Sequence, residues 1–495
     1  LIDENCLGCH SAGGIGPFPL DDPDTISDWS GAIVDSVSYR RMPPWMPSEN
    51  GLEILRSRRL NDSDVATFEA WAANGFELGD PSAYTPPVDD GTELRAPDIF
   101  LEPEVPYVAD PERPDDYRCL SFPMVFEEET LVTGYDVIPG ARDVVHHVIL
   151  YLVPEGDIAQ MESLEAQEEG PGYTCYGGSR VGQDQMIAAW VPGANPEQFP
   201  DGMAMRIPAG ARLVMQVHYN TSQTTGTPPP DTTQVALWTT DEQPERLILV
   251  VPFYDFSLNI AAGESRIVEG QPAAIPFDAD VIGVVPHMHT LGHEIRGFLT
   301  TETVSDMQIF EIPKWDFNWQ QFYWFHEADT MPVSAGEQFR IECIYDNSAA
   351  NQAVVNGEIL EPRDVQWGEG TFDEMCIIFM LVSVPAHPSN GGLCGGFETC
   401  VQECEDDDAA CFMTCAFTGG FDCISCVFDE IEPCVRNHCI DAAVPFIECD
   451  DNCDDEYGCN TSSCKDEFST LLECVLPQMK AGACNDGLAE CDIAF

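Results

Sequence analysis

Val144-Val145-His146-His147-Val148-Ile149-Leu150-Tyr151-Leu152-Val153 is rich in β-branched and aromatic side chains and reads as a strand. Working outward, runs of the same kind recur at residues 212–218, 246–251, 281–285 and 376–384, separated by proline and glycine. Antiparallel β-sandwiches are the architecture this pattern predicts. The β-rich region, residues 98–390, is too long for one small sandwich. The polar stretch Thr239-Thr240-Asp241-Glu242-Gln243-Pro244 is where two would divide, giving sandwiches over 98–241 and 242–390.

The flanks differ from this centre. Residues 1–84 read as a small helical unit, in which Asp62-Ser63-Asp64 opens an apolar-periodic stretch that stops at Gly75. The segment 85–97, with Thr85-Pro86-Pro87-Val88-Asp89-Asp90-Gly91 at its head, reads as a flexible linker. Residues 391–495 form an acidic, cysteine-rich module, since 16 of the 22 cysteines lie beyond residue 393. Cys400, Cys404, Cys411 and Cys415 are spaced so that each pair lies one helical turn apart, which suits two disulfide-stapled helices. A looser second copy begins at Cys449 and Cys453 and continues to Cys459 and Cys464. Spacing alone leaves the connectivity open. The expected fold is thus multidomain and mainly β, with a helical unit before two tandem sandwiches and a disulfide-rich helical module after them.

Charge and cysteine content narrow the setting. The chain carries 86 acidic against 21 basic residues, a net charge of −65, and only three lysines, Lys314, Lys465 and Lys480. Such a field repels phosphate backbones and anionic lipid, so nucleic acid and membrane surfaces are poor partners. Twenty-two cysteines suit an oxidising compartment, extracellular or periplasmic. No apolar run reaches the roughly 18 residues of a membrane span, and the chain reads as a processed, secreted form.

Cys6-Leu7-Gly8-Cys9-His10 is a CxxCH motif, with two thiols for covalent haem attachment and a histidine for the iron. Arg41-Met42-Pro43-Pro44-Trp45 follows within the helical unit. This part of the chain resembles a class I c-type cytochrome domain. The resemblance implies Cys6 and Cys9 as attachment residues, His10 as proximal ligand and Met42 as distal ligand, with Met46 one turn away as a rival.

Five of the ten histidines fall in three β-type motifs: Val145-His146-His147-Val148, Gln216-Val217-His218-Tyr219 and Pro286-His287-Met288-His289. His287 and His289, two apart, share one face of a strand and can grip one ion. His146 and His147 are adjacent, so sharing an ion with His218 requires a strand distortion or ligation through different ring nitrogens. Phe372-Asp373-Glu374-Met375-Cys376 offers a thioether, and a His-His-Met donor set favours copper over zinc or non-haem iron.

With these motifs in this order, residues from about 98 to 386 resemble the copper type II, ascorbate-dependent monooxygenases. The resemblance implies two tandem sandwiches, each carrying one copper across a solvent-filled cleft. It implies His146, His147 and His218 as the electron-transfer site, and His287, His289 and Met375 as the catalytic, oxygen-binding site. Cys343 and Cys376 match a disulfide of that family, and Cys119 and Cys175 are then expected to pair. Where peptide-hydroxylating members place an arginine, an asparagine and a tyrosine to hold a carboxylate, this chain has Val285, Ile377 and Phe379. Peptide amidation is therefore disfavoured, and a small apolar or aromatic substrate fits better.

The expectation is a secreted enzyme that hydroxylates a C–H bond with O2, using two copper ions and drawing electrons from an attached haem c, from ascorbate or from a donor protein. The alternative is a non-enzymatic electron carrier or surface assembly subunit that keeps the copper fold as scaffold, with the cysteine-rich module as its attachment domain. His293 and Gln216 are expected beside the copper ligands. His326, His387 and His438 are read as structural.

Overall fold

The computed structural model describes residues 1–7, 10, 18–79 and 95–387, except 114, 176–177, 182–184, 192–193, 195, 222–223, 225, 276, 318, 327–329, 356–357, 369 and 371. It also describes 397–404, 409–418, 427, 431, 434–435, 439, 465–481, 483–484 and 488. Cys9, His438, most of the expected linker and Cys449, Cys453, Cys459 and Cys464 lie outside the described residues.

At the start are three helices, α1 (Ile2–Asn5), α2 (Pro23–Ser38) and α3 (Asp62–Ala73). Asp22 caps α2 by accepting from the Thr25 N–H, with Pro23 in the first turn where its missing donor costs nothing. Asn61 caps α3 through the Asp64 N–H. Leu20, Ile33, Val37, Leu60, Val65 and Phe68 close a small core between them. These helices do not in themselves make a c-type cytochrome fold evident.

The centre of the molecule is built from sheets. Among the described residues, one sheet of ten strands runs in the order Ile99–Leu101, Gln234–Thr240, Thr130–Ile138, Met203–Ile207, Arg246–Tyr254, Ile377–Pro385, Ala279–His287 and Tyr323–Trp324, with two short strands off this path. The join between Met203–Ile207 and Arg246–Tyr254 is parallel. A backbone ladder therefore crosses the expected boundary near residue 242, so one sheet serves both sandwiches. A five-stranded antiparallel sheet, Tyr173–Thr174, Asp115–Val125, Arg212–Asn220, Val145–Val153 and Gln185–Trp190, covers the first part. A second five-stranded sheet, led by Ser265–Glu269, Gln338–Asp346, Gly292–Thr300 and Met307–Ile312, covers the other.

Burial explains why the two parts adhere. One core contains Leu150, Val217 and Tyr219 from the first sandwich together with Ile282, Val285 and Leu381 from the second. The Cys119–Cys175 and Cys343–Cys376 disulfides brace one part each. Closing the 33-residue separation of the latter contributes about 4 kcal/mol by the chain-entropy account.

At the other end, Phe397–Glu403 and Ala409–Thr418 are helices joined by Cys400–Cys415 and Cys404–Cys411. The helix Lys465–Lys480 joins them, with Cys439–Cys474 and Cys434–Cys484 as further bridges. Phe397, Val401 and Phe412 belong to the same buried cluster as the second sandwich, so this module shares a core with its neighbour. These bridges suit an extracellular setting. No helix among the described residues is long and apolar enough to cross a membrane.

Residues 45–58 hold the helical unit to the second sandwich. Ser48 N donates to Glu311 O at 2.9 Å, Leu52 N to Ile309 O at 2.9 Å and Leu55 N to Trp324 O at 2.7 Å, while His326 N donates back to Glu53 O at 2.7 Å. Trp45 meets Tyr323 edge-on at 5.5 Å, and Arg56 pairs with Glu197 of the first sandwich at 3.2 Å. Where the sequence suggested a freely tethered unit, the structure has a strap bonded along its length.

Candidate metal centre

The strand Val145–Val153 pairs with Arg212–Asn220, Val145 facing Tyr219 and His147 facing His218, so the ladder skips His146. That bulge is the strand distortion that adjacent histidines need to reach one point. The Nδ1 atoms of His146 and His147 lie 3.4 Å apart, and those of His218 and His147 3.3 Å apart. The three imidazoles thus converge, with ligand atoms all within 4.8 Å of one another.

His218 is fixed from behind. Its Nε2 lies 2.8 Å from the Asp115 carboxylate, and Tyr117 stacks on its ring at 4.2 Å. A proton shared with Asp115 stays on Nε2, leaving the Nδ1 lone pair aimed into the cluster.

His287 ends its strand, Met288 turns into the core, and His289 follows just beyond, so the alternation of a strand persists past the last paired residue. The two imidazoles are 5.0 Å apart and nearly perpendicular. His287 Nδ1 meets Gln320 Oε1 at 2.5 Å, and His289 Nδ1 meets the Asp373 carbonyl at 3.2 Å. Glu374 is wholly buried and accepts from the backbone N–H groups of His289 at 2.9 Å, Leu291 at 2.6 Å and Met375 at 3.3 Å. One carboxyl therefore ties the backbone of Met375 to that of His289. Tyr345 holds the Met375 carbonyl at 2.8 Å, and the Cys343–Cys376 bridge anchors the next residue.

Burial lowers the proton affinity of four of these rings. His147, His218 and His289 are held well below the usual histidine range, and His287 is pulled down to about 4. Neutral imidazoles keep the lone pairs that a metal needs. Burial also pushes the Glu374 carboxyl up to about 8, opposed by its backbone donors.

Between the clusters stands Phe317. Its ring stacks on His146 at 5.0 Å and meets His289 edge-on at 5.9 Å. One aromatic ring touches both of these imidazoles. The face that carries His287 also carries Val285, Ile377 and Phe379, paired as Val285 with Phe379 and His287 with Ile377. Val285 and Phe379 pack into the core shared with the first sandwich, which leaves no polar clamp there.

Two expected neighbours are elsewhere. Gln216 is buried and donates to the Gly178 carbonyl at 3.0 Å, propping a loop. His293 is half exposed beside Glu294. Asp115, Tyr117, Phe317 and Gln320 were not found from sequence, because none is marked by spacing and an acid among 86 carries no signal.

In the helical unit, His10 Nδ1 lies 2.9 Å from the Phe18 carbonyl, which fixes that ring. Met42 is 38% exposed, whereas the Met46 sulfur accepts the Asp316 N–H at 3.1 Å. Cys6 is partly buried.

Among solved structures, the infectious bursal disease virus VP2 subviral particle shares 8% identity over 59% of this chain and 82% of that chain, with a TM-score of 0.14. A structure of infectious bursal disease virus Gt strain shares 9% identity over 59% and 68%, with a TM-score of 0.13. Such scores carry no argument about fold or function. No curated protein matches the chain. Residues 273–394 match the family described as copper type II ascorbate-dependent monooxygenase, C-terminal domain, which supports that family for the segment holding His287, His289 and Met375.

Proposed function

We propose that the protein is a secreted copper monooxygenase that hydroxylates a C–H bond of a small apolar or aromatic substrate. One atom of O2 enters the substrate and the other leaves as water, using two electrons and two protons from an outside donor. His146, His147 and His218 would hold one copper ion, and His287, His289 and Met375 the other. Copper so bound supplies one-electron chemistry and oxygen activation that side chains lack. The observation that carries this reading is the convergence of three imidazoles beside a His-x-His pair whose backbone is tied to that of Met375 through Glu374.

The chain's own groups define the remaining roles. Asp115 orients His218, Gln320 orients His287, and Phe317 keeps the space between them apolar. Val285 and Phe379 offer a substrate no charge to pair with. Cys6, Cys9, His10 and Met42 would hold a haem c as electron inlet, with ascorbate as another donor. Support for the inlet comes from the strap: Met46, four residues after Met42, is bonded to Asp316, the residue before Phe317. That contact also favours Met42 over Met46 as the distal ligand.

Metal and haem analysis of the purified protein tests the reading, with two coppers per haem expected. Haem with little copper would instead favour the electron-carrier alternative. Substrate-dependent O2 uptake with a hydroxylated product completes the test.

A further inference from the structure

Three side chains that reach the second histidine pair come from one segment, residues 313–322. The Trp315 indole N–H donates to the His289 carbonyl at 3.1 Å, the Phe317 ring meets His289 edge-on, and Gln320 Oε1 meets His287 Nδ1 at 2.5 Å. Among the described residues of this segment there is no strand or helix. Its internal bonds are local, from Trp319 N to the Asp316 carbonyl at 3.0 Å and from Gln320 Nε2 to the Phe317 carbonyl at 2.9 Å. A stretch held so lightly from within keeps one geometry only when its neighbours impose it.

The strap is such a neighbour. Before the segment, Ser48 N and Leu52 N donate to the Glu311 and Ile309 carbonyls on the strand Met307–Ile312 that leads in. After it, Leu55 N donates to the Trp324 carbonyl and Ile54 bridges Phe325, where the strand Tyr323–Trp324 leads out. Inside this bracket, Met46 Sδ accepts the Asp316 N–H at 3.1 Å, and the Arg58 guanidinium donates to Gln321 Oε1. Met46 therefore grips the residue between Trp315 and Phe317, and Arg58 the residue after Gln320.

We propose that the strap is a positioning element for the second cluster. Met46 and Arg58 hold residues 315–321 so that Gln320 meets His287 and Trp315 meets His289, and docking of the helical unit thereby raises the affinity of this cluster for a soft monovalent cation, Cu(I). The identity of the ion rests on the copper reading above; the grip on the segment does not. Coupling of this kind is reciprocal, so an ion bound at the cluster must also tighten the strap.

The test titrates Cu(I) against a chromophoric chelator in full-length protein carrying His147→Ala, which leaves the second cluster to report. Met46→Leu keeps the bulk and removes the sulfur acceptor, and Arg58→Leu removes the guanidinium donor. Each should weaken Cu(I) about threefold to tenfold, as for one lost hydrogen bond, with circular dichroism showing the fold retained. Arg58→Lys, which keeps a cationic donor, should recover most of that loss. A strap that only stabilised the fold would lower the unfolding midpoint in these variants and leave the Cu(I) affinity of the folded protein unchanged, a result that overturns the proposal. Amide hydrogen exchange supplies the reverse arm. Bound Cu(I) should slow exchange at Leu52 and Leu55, and unchanged exchange there counts equally against the proposal. In metal-free protein, Met46→Leu should speed exchange of the Asp316 amide, and an unchanged rate removes the grip. Protein that takes no Cu(I) sinks the copper reading, and the Asp316 amide then decides the grip by itself.

Discussion

The two histidine clusters differ in what holds them. His146, His147 and His218 lie within paired strands, converge through a bulge, and are backed by the Asp115 carboxylate. His287 and His289 straddle a strand end, are backed by the neutral Gln320 amide and a carbonyl, and depend on Glu374 to bring in Met375. The first is a rigid all-imidazole set. The second would gain its third donor from a segment more than 80 residues away in sequence, through one buried carboxyl. A charge-backed, closed set suits passing electrons, and a mixed set at a strand end leaves room for a ligand.

Met375→Ala should break the comparison most severely. It removes one donor from the second cluster only, so substrate-dependent O2 uptake should fall by more than about 100-fold, beyond the 10- to 100-fold usual for losing a supporting partner. Copper in the first cluster should stay. Unchanged uptake and product would show that the oxygen site is assigned wrongly.

Acid should destabilise the metal-free protein through His287 of the second cluster. The unfolded chain takes a proton on histidine near the ordinary 6.5, while buried His287 resists to about 4. Its folded value is depressed, so its contribution to stability is complete above 6.5 and is lost as pH falls toward 4. The size is roughly 3 kcal/mol by linkage. Acid unfolding of wild type and His287→Gln, followed by circular dichroism, should show a shallower pH dependence for the variant between those limits.

How far these clusters were legible in the sequence follows from what spacing can encode. The strands at 144–153, 212–218, 246–251, 281–285 and 376–384 were readable because β-branched runs mark them, and the observed strands begin or end within a few residues of each. His287 and His289 announced a shared face by their interval, and His146 with His147 announced a conflict that the bulge resolves. The strap was invisible: residues 45–58 bond through backbone atoms, which any sequence possesses, and through the side chains of Ser48, Asn50, Arg56 and Arg58, which no periodic spacing marks. The parallel join of Met203–Ile207 to Arg246–Tyr254 was equally hidden, since a polar stretch lies between them and looks like a boundary. Phe317 and Gln320 act from a segment without periodicity, so only tertiary placement reveals them.

Asp115→Asn and Gln320→Leu sharpen the contrast in support. Replacing the carboxylate should weaken copper at the first cluster by about 10- to 100-fold, because a charged partner raises ligand basicity and fixes the tautomer. Losing the Gln320 amide should weaken the second cluster by less, about threefold to tenfold, as for one neutral hydrogen bond. Competition with a copper chelator measures both. Equal losses would mean that the charge on Asp115 is immaterial and that geometry alone sets affinity.

Phe317→Leu makes the smallest change and addresses what stands between the clusters. The ring lies nearly parallel to His146, at 23° and 5.0 Å, but meets His289 at 83° and 5.9 Å. An aromatic pair contributes about 0.5–1.5 kcal/mol beyond its buried area, so losing the stack should weaken copper at the first cluster about threefold to tenfold. Leucine keeps the position apolar, so the second cluster should change less. A loss confined to the first cluster would identify Phe317 as a brace for His146. Equal losses would instead mark the ring as a spacer that sets the distance between the two sites, and no loss at either would leave it only the task of excluding water.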